Sequence, residues 1–452
     1  MLNPPLELLR KPKFLLPLIS FSIPFGILRI EGGKMKKRTV VVLAVFGILG
    51  FHLLWSQPEK EDVLTLDECL AIALEQNPLI LSSLQQHQAS LARVNQAKAL
   101  YQPSISYDSD LQPSFLNFKD SGEYFIGLSQ PFDFPGKRSL RGKIATQDAN
   151  ALLAEIDLLK LDLSFQVKQA FYSLLLAEEK LKYLEQNYEL TRDFLQKAEL
   201  KFEAGDVAKV EVLRAQVEAS KAANEVRVAT NEVRLAKATL NFLLARKKYA
   251  PLSIRGDLKR STVKLDSESL REKALAFRPE MRRVNFHLER ERLQKKAATM
   301  NYLPDFELGV NRHGIEGEGT FWDFTLSFTV PLYFWQPLKG EIAEAEANIS
   351  ALQKESEHIV NTILLEVEES YTIALAAESQ IQLFEEEILT QSEEVYNMFF
   401  ISYQEGEISS IELIDARRTL IEARQSYADA LFNYGTALAA LERSIGRPFE
   451  GE

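Results

Sequence analysis

Two acids, Glu412 and Asp415, stand three residues apart in the last tenth of the sequence. On a helix that spacing puts both carboxylates on one face. Acids grouped in this way can attract cations. Arg417 and Arg418 follow closely and offer the other reading, a solvated face of ion pairs. Glu211 matches Glu412 in an earlier copy of the same stretch, where Arg214 stands at the position of Asp415. A second set of acids, Asp108, Asp110, Asp305, Glu307 and Asp323, falls within segments of alternating pattern. Catalytic chemistry finds no support: there is no nucleophile motif, no phosphate loop and no metal-ligand cluster. The five histidines (His52, His87, His287, His313 and His358) show no ligand spacing. Cys69 is the only cysteine, so neither a disulfide framework nor a thiolate metal site is expected. The chain reads as a non-enzyme without metal or cofactor.

The elements that position these acids are long helices. Leu200–Gln216 contains Gly205, the only Gly between Gly142 and Gly256, and no Pro occurs between Pro135 and Pro251. Ile401–Arg417 repeats the arrangement around Gly406, the only Gly between Gly340 and Gly435. Gly and Pro are the strongest helix breakers. A single Gly inside such a run predicts two helices joined by a tight reversal, with Gly in the left-handed backbone that ends the first. Each Gly therefore marks the tip of an antiparallel helical hairpin, spanning 139–246 in the first copy and 339–445 in the second. Residues 143–204 would extend roughly 90 Å, residues 206–246 about 60 Å and residues 79–101 about 35 Å. Two shorter helices laid end to end thus match one continuous helix.

Other landmarks recur at a spacing of about 200 residues, which marks an internal duplication. Asn77-Pro78 is echoed by Arg278-Pro279, Gln102-Pro103 by Leu303-Pro304, and Gln130-Pro131 by Val330-Pro331. The expected organisation is repeat 1 over 58–250, a connector over 251–266, repeat 2 over 267–448 and a tail over 449–452. Each repeat opens with a short helix and carries two strands of period two. The strands are expected at 103–112 and 123–132, joined by the loop 113–122, and at 304–312 and 321–332, joined by the loop 313–320. In the last of them Trp322, Phe324, Leu326, Phe328, Val330 and Leu332 alternate with Asp323, Thr325, Ser327 and Thr329. Such alternation is a half-buried strand with one apolar and one polar face. About ten residues suits a membrane-spanning β-strand. Four strands cannot close a barrel, which needs about eight, and open edges are not tolerated in lipid. Two, three or four copies of the chain would supply 8, 12 or 16 strands.

Residues 1–57 read as a signal region. Met35-Lys36-Lys37-Arg38 precedes an apolar run from Val40 to Phe51, the basic and apolar parts of a secretory leader. His52 and Trp55-Ser56-Gln57 end the run too early for a membrane anchor helix. A start at Met35 would leave residues 1–34 upstream of it. The net charge of −11 argues against a nucleic-acid partner.

From Leu64 to Pro448 the chain resembles the TolC family of outer-membrane efflux channels. The most specific pieces are Phe-x-x-Gly-x-x-x-x-x-x-Val-Leu-x-Ala-Gln at 202–216 and its partner at Tyr403–Ala416. The stretch Ser129–Arg138 is similar to the heavy-metal, cobalt–zinc–cadmium type subgroup. The resemblance implies a homotrimer with a twelve-stranded outer-membrane β-barrel above a periplasmic α-helical barrel, embedded in outer-membrane lipid. It implies a passive duct fed by an inner-membrane efflux pump through a periplasmic adaptor. It also implies that the hairpin tips face that adaptor, through Phe202, Gly205, Val207, Val210, Leu213, Tyr403, Gly406, Ile408, Ile411 and Leu413. Glu211, Glu412 and Asp415 would then line the periplasmic gate. Many relatives carry a lipid-anchor cysteine and this chain shows none near the cleavage region, which leaves the barrel as its membrane anchor. The competing readings are a periplasmic adaptor, which would carry one hairpin and no aromatic strands, and a structural coiled-coil protein.

Overall fold

Thr65 starts the first helix by a reciprocal cap. Its backbone N–H donates to the Glu68 carboxylate at 2.8 Å, and its hydroxyl accepts from the Glu68 N–H at 3.4 Å. The computed structural model describes residues 62–110, 122–247, 250–260, 265–333, 335 and 337–449. The signal region, Leu111, all but the last residue of the loop 113–122, and tail residues 450–452 lie outside them. In repeat 1, β1 (Asp62–Leu64) leads into α1 (Leu66–Gln76) and α2 (Pro78–Lys98). Asn77 separates the two helices, its Oδ1 accepting from the Leu79 N–H at 2.9 Å. Pro78 occupies the first position of α2, where a missing N–H costs nothing. Then come β2 (Ser104–Asp110), β3 (Glu123–Phe132), α3 (Lys137–Ala204) and α4 (Lys209–Leu243). The 68 residues of α3 extend about 100 Å. Both α2 and α4 pack along it.

Repeat 2 follows the same order. It has α5 (Ser267–Phe277), α6 (Pro279–Met300), β5 (Asp305–Ile315), β6 (Gly319–Thr329) and α7 (Pro337–Leu383). A π turn (Phe384–Ile388), α8 (Leu389–Glu405) and α9 (Ser410–Ile445) complete it. Three features depart from the sequence expectation. The loop expected at 313–320 shrinks to a turn at 316–318, because Gly317 and Gly319 adopt φ of 85° and 108°. β6 ends at Thr329, not 332, as Pro331 has no N–H for a ladder. The connector contains β4 (Leu252–Ile254), paired in parallel with β1, where no strand was expected.

The duplication reaches into the core. Cys69, Ala73, Leu163, Val167, Leu240 and Leu244 are buried together where α1, α3 and α4 meet. Leu270, Ala274, Ile363, Val367, Leu441 and Ile445 form the matching cluster in repeat 2. Burial pushes the Cys69 thiol up to about 11, which leaves it an inert core residue. The joint between the short helices is pinned the same way in both repeats. Asn77 Nδ2 donates to the Leu243 carbonyl at 3.1 Å, and Arg278 Nη1 donates to those of Arg443 and Ser444 at 3.3 and 3.4 Å. Arg278 is buried and balanced by Glu280 and Glu366 at 2.5 and 2.7 Å.

Four strands form one antiparallel sheet in the order β2-β3-β5-β6. Its register sorts side chains cleanly. One face carries Ile105, Leu128, Val310 and Phe324 in one row, and Tyr107, Ile126, Arg312 and Trp322 in another. The opposite face carries Ser104, Ser129, Gly309 and Thr325, then Ser106, Gly127, Asn311 and Asp323. Paired residues in an antiparallel ladder lie on the same side, and neighbours along a strand lie on opposite sides. Among the described residues β2 and β6 are the free edges, so one chain makes an open sheet and not a closed barrel.

Candidate functional site

The two hairpin tips are built alike. Gly205 and Gly406 end their helices with φ of 84° and 80°. In both the glycine N–H donates to the carbonyl three residues back, Phe202 and Tyr403, and the next N–H, Asp206 and Glu407, to the carbonyl five back, Lys201 and Ser402. Nothing lies within 4 Å of a Cβ added at either glycine, so backbone conformation alone selects Gly there. Phe202, Val210, Leu213 and Ile411 stand exposed, and Val207, Tyr403 and Ile408 are half-buried. Tyr403 packs on Phe194 with ring centroids 5.9 Å apart, under the Lys201 ammonium at 5.5 Å. Burial, with Glu211 nearby, pushes the Tyr403 phenol upward. Leu413, unlike the other tip residues, is buried.

The acids are engaged in different ways. Glu412 closes a capping box: its Oε2 accepts from the Ser409 N–H at 2.8 Å and the Ser409 hydroxyl at 3.0 Å. The Ser409-x-x-Glu412 spacing is a readable signature of that cap. Glu211 joins the two hairpins: Ser410 Oγ donates to its Oε2 at 2.6 Å, and Arg214 sits 3.2 Å from its Oε1. The Asp415 side chain is 77% exposed and lies 3.9 Å from Arg418, which also reaches Glu218 at 3.6 Å. Glu412, Asp415, Arg214, Glu218 and Arg418 share the wall of a cleft of about 550 Å³ between the hairpins.

Arg417 behaves unlike its neighbour. No ion pair holds it among the described residues, and burial pushes its pKa down. It lines a cavity of about 220 Å³ with Tyr183, Asn187, Glu393 and Tyr396. Asn187 Oδ1 is buried without a hydrogen-bond partner. Nothing in the spacing of Arg417 distinguished it from Arg418.

On the sheet, the polar face gathers around His313. Its Nε2 lies 2.5 Å from Glu123 Oε1, its Nδ1 lies 3.7 Å from Asp323 Oδ2, and its ring stacks on Phe125 at 4.0 Å. Asp305, at the start of β5 on this same face, is tied to the sheet–helix junction. It accepts from the Phe134 N–H at 2.7 Å and from Lys137 Nζ at 2.9 Å. Asp133 meets Arg141 there at 2.7 Å, and Gly136 turns the chain with φ of 105°. The Ser129–Arg138 stretch is therefore built as a strand-to-helix corner. Among the described residues no group of three or more His, Cys, Asp or Glu side chains is arranged to hold a metal ion. No described helix is long and apolar enough to cross a membrane.

Comparison with known proteins places this geometry. The family described as outer membrane efflux protein matches residues 70–246 and 270–447, one match in each repeat. The chain is 22% identical over 397 residues to the cobalt-zinc-cadmium resistance protein CzcC of Cupriavidus metallidurans, covering 86% of this chain and 91% of that one. The crystal structure of the Campylobacter jejuni CmeC outer membrane channel shares the fold with a TM-score of 0.72 at 15% identity, over 84% of this chain and 85% of that one. The open state of the Neisseria gonorrhoeae MtrE outer membrane channel does so with a TM-score of 0.71 at 18% identity, over 84% and 89%. With both repeats matched and the fold shared, the chain belongs to the outer membrane efflux protein family and is an outer-membrane efflux channel with a large periplasmic part.

Proposed function

We propose that three copies of the chain close a twelve-stranded barrel, each β6 pairing with the β2 of a neighbour, and that the helical hairpins continue the duct across the periplasm. The observation that carries this reading is the open sheet itself: one apolar face, one polar face and two unpaired edges. In lipid every backbone N–H and C=O needs a partner, so edges must be closed by another copy. The polar face, with Asp108 and Asp323, lines a water-filled lumen. Solutes cross passively, without catalysis, and energy comes from an inner-membrane pump coupled by a periplasmic adaptor at the tips. Phe202, Val210, Leu213 and Ile411 are the exposed apolar side chains offered to that adaptor. Heavy-metal cations are the proposed cargo, supported by the name of the CzcC relative and by the Ser129–Arg138 stretch. A periplasmic adaptor would have one hairpin and no aromatic sheet; this chain has two hairpins and a four-stranded sheet. The test is fractionation: the protein should run as a heat-modifiable trimer from the outer membrane, and its loss should sensitise cells to cobalt, zinc or cadmium. A monomer in the periplasmic fraction would overturn the channel assembly, and unchanged metal tolerance would remove the cargo.

The tips are the proposed gate. Three copies of Glu211, Glu412 and Asp415 around one axis would concentrate negative charge and favour cations. Glu412→Gln is a clean probe, because Gln at the third helical position still completes the Ser409 capping box. With Asp415→Asn, it should weaken cation selectivity in planar bilayers and remove block by divalent cations added from the periplasmic side. Unchanged selectivity together with unchanged block would show that these acids do not line the constriction.

A further inference from the structure

The two long helices differ by one residue. α3 runs for 68 residues without interruption, whereas α7, the π turn and α8 run for 47, 5 and 17 residues. The matched landmarks locate the extra residue. Leu163 and Val167 match Ile363 and Val367 at a spacing of 200, but Gly205 matches Gly406 at a spacing of 201. The excess therefore falls between Val367 and Gly406, where the π turn at Phe384–Ile388 lies. One residue added to a regular helix would rotate everything beyond it by about 100°. A π turn absorbs the residue locally, with the Leu389 N–H reaching back five residues to the Phe384 carbonyl, and keeps the two tips in register.

The surroundings of the turn are asymmetric along the helix. On the sheet side the helix is held. Ile381 and Phe384 are buried against Leu431 and Tyr434, with Leu258 of the connector packed on the cluster. Arg260 of the connector grips Glu378 at 2.9 Å. On the tip side the ties lie at the surface: α8 contains no buried residue, Arg424 meets Glu393 at 2.9 Å, and Tyr403 rests half-buried on Phe194 near the tip. Beside α8 lies the 220 Å³ groove with Arg417, held by no ion pair among the described residues, and the unpartnered side-chain Oδ1 of Asn187. This groove is open to solvent, so the face of α8 that borders it is not packed against a neighbour there.

We propose that the π turn at Phe384–Ile388 is the hinge on which α8 and the Gly406 tip swing when the periplasmic end opens, while the uninterrupted α3 hairpin stays fixed. The proposal rests on reading the tips as the gate. The clamp by Arg260 and Leu258 fixes the pivot, and the widened turn supplies backbone that can rearrange without breaking the helix.

The test uses the full-length channel in planar bilayers. Glu211→Ala removes the Ser410 contact across the tips and should raise the frequency of the high-conductance state about tenfold. Deleting Glu386 in that background restores a regular helix with both ends still in register, and should return the frequency to the wild-type level. If Glu211→Ala leaves conductance unchanged, the gate reading fails and the hinge with it. If Glu211→Ala opens the channel and the deletion does not close it, the hinge alone is wrong. Should the deletion prevent assembly, spin labels at Gln382 and Met398 decide. Their separation must shift between the wild type and Glu211→Ala background, and an unchanged distance overturns the proposal.

Discussion

Replacing Glu442 by Leu should destabilise the channel by about 3–5 kcal/mol, because it strands a buried cation. Lys168 Nζ lies 2.5 Å from Glu442 Oε2, with side chains only 11% and 7% exposed. The second carboxylate oxygen accepts from the Phe449 N–H at 2.9 Å. The pair joins α3 of repeat 1 to α9 of repeat 2, at the level where the core clusters fix the hairpins. Desolvation decides the outcome. Two charges removed from water are offset by their mutual attraction, but one alone is not, so breaking the pair costs more than the pair contributes. The double variant Lys168→Met with Glu442→Leu should therefore recover most of the lost stability. Urea midpoints of the purified oligomer measure this directly. A double variant as unstable as Glu442→Leu alone would mean that Glu442 acts through Phe449 rather than through Lys168.

The position is instructive about what the sequence conveyed. Asn241 stands where Glu442 stands, 201 residues earlier, and it too is buried and reaches past its helix, donating to the Ala250 carbonyl at 3.0 Å. The repeat preserved the task, holding the segment after the hairpin, but not the chemistry. No periodicity announces a buried lysine on a helix of 68 residues, since burial depends on which neighbour arrives from 274 positions away. By contrast Gly205 and Gly406 were legible because only backbone conformation is at stake, and Gly is the residue that meets it. The alternation in 322–328 was legible because a sheet with two unlike faces leaves a period of two. The π turn left no compositional mark. It is visible only as the difference between spacings of 200 and 201, and a reading at about 200 passes over it. Glu412 carried more in the sequence than its pairing with Asp415 used: Ser409-x-x-Glu412 is a capping signature, and the helix start uses Glu412 while Asp415 stays exposed.

Phe324→Arg should abolish or severely reduce assembly into the outer membrane, at a cost of about 2–4 kcal/mol per chain near the bilayer midplane. Phe324 is 81% exposed on the apolar face, in one row with Ile105, Leu128 and Val310. An exposed aromatic of this size, flanked on its strand by Trp322 and Leu326, has no partner among the described residues to cover it. Lipid is the solvent that such a face fits, and a guanidinium there loses its hydration. The neighbouring Thr325 points the other way, in the row of Ser104, Ser129 and Gly309. Thr325→Arg puts the same charge on the face proposed as lumen, where water remains. It should assemble at the wild-type level while lowering cation permeability. Asp323 makes a poorer control, because its carboxylate stands 3.7 Å from His313 and its loss would disturb that cluster. The comparison is read as the yield of heat-modifiable oligomer in the outer-membrane fraction. Because the two positions are adjacent, strand propensity and depth are nearly the same, and only the face differs. Equal yields from the two variants would mean that the apolar face does not meet lipid. A low yield from Thr325→Arg and a normal one from Phe324→Arg would turn the sheet inside out.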